Sequence, residues 1–81
     1  MNPWEGISKD DLVKLSAREL KIVRNYFFAV RGYGFKTKML RDFYSQFFWY
    51  KPDSDLDLDI IELSRRERDF IDKVIEVEKR K

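Results

Sequence analysis

The chain has 81 residues, of which 40% are charged, 43% hydrophobic and 16% aromatic, with a formal net charge of +2. That length allows one domain with one modest core, and the hydrophobic content excludes a disordered tail. The absence of cysteine and histidine excludes disulfides, thiolate zinc sites and catalysis by Ser-His-Asp or Cys-His pairs. No apolar run approaches the roughly 18 residues that a transmembrane helix needs. The first residues lack the basic and apolar regions of a signal peptide, so an exported protein would carry its signal outside this segment.

Three helix starts can be identified directly from the sequence. A serine followed three residues later by an acid forms a capping box, in which each side chain accepts a hydrogen bond from the other residue's backbone N–H. The first box follows an irregular lead-in over residues 1–7, in which Trp4 and Ile7 are expected to cover an edge of the core. The boxes, Ser8–Asp11, Ser16–Glu19 and Ser64–Glu67, predict a short helix from about 9 to 14, a longer helix after Ser16, and a last helix that runs toward the C-terminus.

The helix after Ser16 is expected to continue without a break to Gly32. Glycine adopts the left-handed conformation that often ends a helix, and Gly34 follows two residues later. At about 100° per residue, the helix has an apolar half and a mixed half. The apolar half holds Leu20, Ile22, Val23, Tyr26, Phe27, Ala29 and Val30, and the other half holds Arg18, Lys21, Arg24, Asn25, Phe28 and Arg31.

A third helix is predicted over residues 38–47. Phe43 and Phe47 recur at helical spacing and are expected to face the core, so that if one aromatic side chain of this stretch is exposed, it should be Tyr44. The aromatic residues from 43 to 50 would make a sugar-stacking platform if they were exposed, but their spacing favours a role in the core.

The stretch after Pro52 alternates aspartate with other residues. Proline disfavours a helical conformation at the residue before it and so ends the third helix. Residues 53–59 are expected to form an exposed, extended linker. Leu56, Leu58 and Ile60 share one side at period two, so a strand-like pass across the core is the alternative. These elements together predict an all-α fold, with three main helices in a small compact bundle, a short N-terminal helix, and an ordered extended linker before the last helix. We expect the whole chain, residues 1–81, to be a single domain.

A set of short, different motifs is spread along most of the chain. It consists of Leu15-Ser16, Glu19-Leu20, Arg24-Asn25, Ala29, Gly32, Tyr33, Phe35, Phe43, Trp49-Tyr50 with Pro52, and Leu63-Ser64 with Glu67 and Ile71. Over about residues 15–78 this pattern resembles the YARHG domain, a small bacterial module. The motif that names the family stands here as Phe28-Ala29-Val30-Arg31-Gly32, with Phe in place of Tyr, Val in place of Arg and Arg in place of His. The resemblance implies a helical fold and an extracytoplasmic location, often at the end of an envelope protein or lipoprotein, and it implies no activity.

The mixed half of the long helix carries the candidate ligand site. Arg24, Asn25, Phe28 and Arg31 lie along one arc, and two guanidiniums beside an aromatic ring can hold a carboxylate or phosphate. The structural alternative pairs Arg24 with acids of the linker, bonds Asn25 to loop backbone and packs Phe28 under Trp49. The residues alone favour the structural alternative, since ion-pair networks resemble sites.

Two other features of the sequence resemble binding sites. Residues 14–41 hold eight basic side chains and one acid, a balance of 8 − 1 = +7 that makes nucleic-acid or polyanion binding an alternative. The near-neutral whole chain and the lack of a nucleic-acid motif disfavour it. The alternate aspartates Asp53–Asp59 resemble the start of a calcium-binding EF-hand loop, but Leu58 stands where glycine is required and Ser64 where glutamate is required. No metal or cofactor is therefore predicted.

The sequence as a whole predicts a non-catalytic module of the bacterial cell envelope, part of a longer exported protein or lipoprotein. Its serines serve as helix caps, and without histidine a general base would need a deep pocket that a chain this short rarely supplies. The expected partner is a cell-wall glycan or another envelope protein. The alternative is a purely structural accessory domain without a ligand.

Overall fold

The computed structural model describes residues 6–80. The described residues form five α-helices, a short 3₁₀ turn at Leu58–Ile60 and no strand. The helices are α1 (Lys9–Val13), α2 (Ala17–Arg24), α3 (Tyr26–Val30), α4 (Lys38–Ser45) and α5 (Arg65–Lys79). The predicted all-α class is confirmed. The expected position of Trp4 lies outside the described residues.

All three predicted capping boxes are present. At the start of α1, the Ser8 N–H donates to the Asp11 carboxylate at 3.0 Å and the Asp11 N–H donates to the Ser8 hydroxyl at 3.3 Å. The boxes at Ser16 and Ser64 have the same reciprocal bonds at 2.8 and 3.1 Å. Each box satisfies N–H groups that a helix start leaves unpaired, which explains why these helices begin where the sequence predicts.

The chain divides into two compact units, and the first is built from both ends of the chain: Met1–Arg24 together with Leu63–Lys81. In this unit α1 and α2 pack against α5. The core is formed by Leu12, Leu20, Phe70, Val74 and Val77. The three residues from α5 recur at spacings of four and three, so one stripe of α5 supplies the surface that both shorter helices cover.

Polar contacts at the edge of the first unit join distant parts of the chain. Lys9 on α1 forms an ion pair of 2.7 Å with Glu76 on α5. Lys73 donates from its ammonium group to the carbonyl of Ile7 at 3.1 Å. Ile7 is half-buried, in agreement with its predicted place at the edge of the core.

The second unit spans Asn25–Glu62 and contains α3, α4 and the 3₁₀ turn. Its core is mostly aromatic and consists of Phe27, Ala29, Phe35, Leu40, Tyr44 and Tyr50. The Phe35 ring stacks on Tyr44 at 5.3 Å and on Tyr50 at 6.1 Å between centroids. The Tyr50 hydroxyl donates to the Tyr33 carbonyl at 2.6 Å and accepts from the Phe35 N–H at 3.4 Å, so this ring also holds the loop after α3.

The long helix predicted after Ser16 is wrong at one point, because it breaks at Asn25. This residue has φ −97° and ψ 3° and separates α2 from α3. Asparagine has low helix propensity because its side chain competes for backbone hydrogen bonds. The break changes which side faces inward: Phe27 and Ala29 are buried as predicted, but Tyr26 and Val30 are exposed.

The predicted stop at Gly32 is confirmed in detail. Gly32 has φ +88°, its N–H donates to the Ala29 carbonyl, and the next N–H, from Tyr33, donates to the Phe28 carbonyl, both at 3.0 Å. These two bonds form a Schellman motif, in which a left-handed residue satisfies the last carbonyls of the helix. The Gly32 carbonyl then accepts the Asp53 N–H at 2.7 Å, which joins the start of the aspartate stretch to the end of α3.

The aspartate stretch is irregular and not strand-like. Asp53 makes an isolated bridge with Tyr33, and the Asp55 N–H donates to the Asp53 carboxylate at 2.9 Å. The chain then forms the 3₁₀ turn, in which Leu58 and Ile60 are exposed. The prediction that they would face the core at period two is therefore wrong, because a 3₁₀ turn does not preserve the alternation of a strand.

Candidate functional site

Arg24, the first of the four candidate residues, lies in the first unit at the end of α2. Its Nε forms an ion pair of 2.7 Å with Glu78 Oε1 on α5, and both side chains are half-buried. The sequence had suggested linker acids as the structural partner of Arg24 and had not singled out Glu78. Because α2 packs against α5, this pair contributes to the edge of that contact.

The other three candidates belong to the second unit and lie on α3 and its two caps. Asn25 precedes the helix and is half-buried, and its backbone carbonyl accepts a hydrogen bond from the Ala29 N–H at 3.1 Å. Phe28 is half-buried on the helix. Arg31 ends the helix, is exposed, and donates from Nη1 to the Phe27 carbonyl at 3.1 Å. The expected continuous arc therefore divides at Asn25: three candidates share one short helix, and Arg24 belongs to the other unit.

The contact of Arg31 has a clear structural purpose. A helix leaves its last carbonyls without intrahelical partners and carries partial negative charge at that end. The Arg31 guanidinium donates a hydrogen bond to the Phe27 carbonyl and also places positive charge at the negative end of the helix. The two arginines that the sequence proposed as anion ligands thus each have a partner within their own unit.

A different feature of the second unit stands out by its exposure, and we call it the aromatic surface: Tyr26, Val30, Phe48 and Trp49. Phe48 is 93% exposed and Trp49 is 38% exposed. The Tyr26 ring meets the Trp49 ring edge-on, with centroids 6.2 Å apart, and Val30 follows Tyr26 by one helical turn on α3. The Tyr26–Trp49 contact joins α3 to the turn after α4, in which Phe48 directly precedes Trp49.

The aromatic surface rests on the packed rings beneath it. Trp49 stacks on Phe47 at 5.4 Å with 17° between the ring planes, and it meets the buried Tyr44 ring at 6.2 Å. Burial raises the pKa of the Tyr44 hydroxyl, with a smaller contribution from Tyr26. One side of Trp49 is thus fixed by packing, so the exposed side is held in place before any partner arrives.

The predicted exposure of Tyr44 is wrong, and the correction explains the aromatic surface. Tyr44 is 2% exposed, because the inward side of α4 carries Leu40 and Tyr44 at a spacing of four. The prediction had extended the helix to Phe47, but α4 ends at Ser45. The residues beyond that end follow the path of a turn, which turns Phe48 out to solvent, and helical periodicity carries no information about such a path.

The acidic residues of the aspartate stretch lie on the surface. No group of three or more carboxylates that could hold a metal ion occurs in residues 6–80. We call the segment from Asp55 to Glu62 the acidic turn: it holds Asp55, Asp57, Asp59 and Glu62, all exposed, around the exposed Leu58 and Ile60. Across the described part of the chain, no ion pair joins these four carboxylates to a basic side chain.

The helices and caps described above define a small all-α module, and among residues 6–80 its most exposed aromatic residue, Phe48, lies outside any helix. The family model of the YARHG domain matches residues 5–79, so the chain belongs to the YARHG family. Members of this family are small modules presumed extracellular, and in general they are not catalytic. No curated protein and no solved structure matches the chain. Within the described residues, no helix has the length and apolar character needed to cross a membrane.

Proposed function

We propose that the chain is a non-catalytic binding module of the bacterial cell envelope, carried as a single domain by a longer exported protein or lipoprotein. The family supports the extracytoplasmic location, since its modules are presumed extracellular. The proposed partner is a component of the envelope, either a cell-wall glycan or a protein.

The exposure of Phe48 is the observation that supports binding. A side chain that is 93% exposed gains almost nothing from the hydrophobic effect on folding. Exposed apolar residues that lie together mark interaction sites on protein surfaces, and Phe48 directly precedes Trp49, whose ring is packed on Phe47. A binding role explains Phe48, which the second unit does not use in its core.

The four candidate residues predicted from the sequence have different roles in this proposal. The contacts of Arg24 and Arg31 favour the structural interpretation of both side chains. Arg31 is retained as a proposed contributor because it is exposed and directly follows Val30 of the aromatic surface. Asn25 and Phe28 would act by holding α3 in place.

The test is co-sedimentation of the purified chain with isolated bacterial envelopes, meaning wall sacculi with their attached proteins. Phe48→Ser is expected to weaken binding by about tenfold or more, as for a central interface residue. Val13→Ser is the matched control, because Val13 is also exposed, at 47%, but lies in the first unit. Its binding should equal that of the original chain.

Arg31→Ala separates ligand contact from architecture when its binding and its urea unfolding are measured together. Lost binding with unchanged stability would assign Arg31 to the ligand. If the original chain fails to sediment with envelopes, or if Phe48→Ser sediments equally well, the proposal is contradicted and the structural accessory domain becomes the better description.

A further inference from the structure

Exposed apolar side chains are concentrated in the second unit. Of the seven large hydrophobic residues that are exposed among residues 6–80, all but Val13 lie between Asn25 and Glu62. Four of them form the aromatic surface, and the other two, Leu58 and Ile60, lie on the 3₁₀ turn of the acidic turn. Ile60 is 63% exposed.

The two apolar patches sit in segments of opposite charge. Residues 25–51 contain five basic side chains, all exposed, and one acid. That acid, Asp42, is 2.6 Å from the ammonium group of Lys38. Residues 52–62 contain five acids and no basic residue. The net charges are thus 5 − 1 = +4 and −5.

Basic groups border the aromatic surface directly. Arg31 follows Val30, and Lys51 comes two residues after Trp49. The backbone brings these two borders together, because a Cβ built on Gly32 would lie 3.0 Å from the Lys51 carbonyl oxygen. The aromatic surface is therefore flanked along the chain by basic residues, while Leu58 and Ile60 of the acidic turn are flanked by acidic residues.

Resting on the proposed role as a binding module, we propose that one partner of this module is a second copy of the same chain, with the aromatic surface of one copy seated on the acidic turn of the other. Apolar centres with polar edges are the general form of protein interfaces. Opposite charge at the two edges speeds the encounter and disfavours the pairing of like patches. A heterologous contact of this kind joins one patch of each copy and leaves the second patch of each copy free, so it forms an open pair that further copies can extend.

A free anionic glycan is the less favoured occupant of the aromatic surface. The Phe48 ring, 93% exposed, could stack on a sugar, but a glycan held in this way would use the aromatic surface alone. The acidic turn would also stay unexplained, whereas a second copy accounts for both patches.

The first measurement is sedimentation equilibrium of the 81-residue chain over about 10 µM to 1 mM, which covers weak self-association. Reversible association is expected for the original chain. It should weaken by about tenfold or more in Phe48→Ser and in Ile60→Ser. Val13→Ser should associate as the original chain does. Raising the salt to about 1 M, where the Debye length is about 3 Å, should weaken association further.

The decisive experiment mixes the two weakened variants. Phe48→Ser keeps the acidic turn and Ile60→Ser keeps the aromatic surface, so one intact contact can form between them. The mixed pair should associate about tenfold or more tightly than either variant with itself. If the mixture stays as weak as its components, the two patches do not face each other and the inference is wrong.

Failure of this inference can be told apart from failure of the proposed function. A chain that stays monomeric at about 1 mM, yet binds envelopes in a manner that depends on Phe48, would overturn self-association and leave the binding module intact. Equal behaviour of Phe48→Ser and the original chain in both assays would overturn both.

Discussion

Gly32→Ala tests whether the end of α3 is fixed by backbone geometry. Gly32 has φ +88°, a region that an L-residue enters at a cost of about 1–2 kcal/mol. Its new Cβ would also lie 3.0 Å from the carbonyl oxygen of Lys51. This is backbone that cannot rotate away, and the crowding adds about 1 kcal/mol.

A smaller term acts in the opposite direction. Alanine lowers the conformational entropy of the unfolded chain, which offsets the loss by roughly 0.5 kcal/mol. The net expectation for Gly32→Ala is therefore a loss of about 2 kcal/mol in the free energy of unfolding. Urea unfolding followed by circular dichroism, with linear extrapolation to water, measures this quantity.

Gly34→Ala is the matched control in the same loop. Gly34 does not have positive φ, and its Cβ would meet the Pro52 Cβ at 3.7 Å, an ordinary contact. This variant should be within about 0.5 kcal/mol of the original chain or slightly more stable. Equal losses in the free energy of unfolding would refute the argument, because the positive φ and the contact with Lys51 would then add no cost beyond that of the Gly34 substitution.

Three further substitutions test other contacts. Tyr50→Phe removes two hydrogen bonds to backbone and should cost about 1–2 kcal/mol in urea unfolding; no loss would mean that these bonds are replaced by water. Arg24→Ala breaks the half-buried pair with Glu78 and should cost about 1 kcal/mol at low salt and less at high salt, and a cost independent of salt would indicate lost packing instead. Burial raises the pKa of Tyr44 above its ordinary value of 10.0, so the unfolded chain loses the hydroxyl proton at a lower pH than the folded chain does. The contribution of Tyr44 to the free energy of unfolding is therefore fully present below about pH 10 and falls as the pH rises further. Tyr44→Phe should remove that part of the slope above about pH 10, and an unchanged slope would assign it to other titrating groups.

The helix starts could be predicted from the sequence because their cause is local. A serine and an acid three residues apart satisfy each other's backbone wherever the rest of the chain goes. The same holds for Gly32, since glycine is the residue that tolerates the conformation found there. These features need no knowledge of tertiary packing, and each of them occurs where it was predicted.

Features that depend on tertiary packing could not be predicted in this way. The break at Asn25 shifts the inward side of the following helix, and periodicity read across an unseen break assigns Tyr26 and Val30 to the wrong side. Likewise, the burial of Tyr44 and the exposure of Phe48 depend on where α4 ends, and helix ends are poorly determined by sequence patterns. The aromatic surface results from the helix break at Asn25 and the early end of α4. The candidate site predicted from the sequence therefore consists of neighbouring residues and not of the aromatic surface itself.

The division of the chain has a consequence for the order of folding. The first unit joins segments from both ends of the chain, and its ion pair between Lys9 and Glu76 spans 67 residues. The second unit is continuous and is complete once Glu62 has been synthesised. During synthesis, α1 and α2 therefore have no helix to pack against until α5 emerges, and closing so long a loop carries an entropic cost that local contacts avoid. The segment Asn25–Glu62 is thus able to fold before α5 emerges and completes the unit that contains α1 and α2.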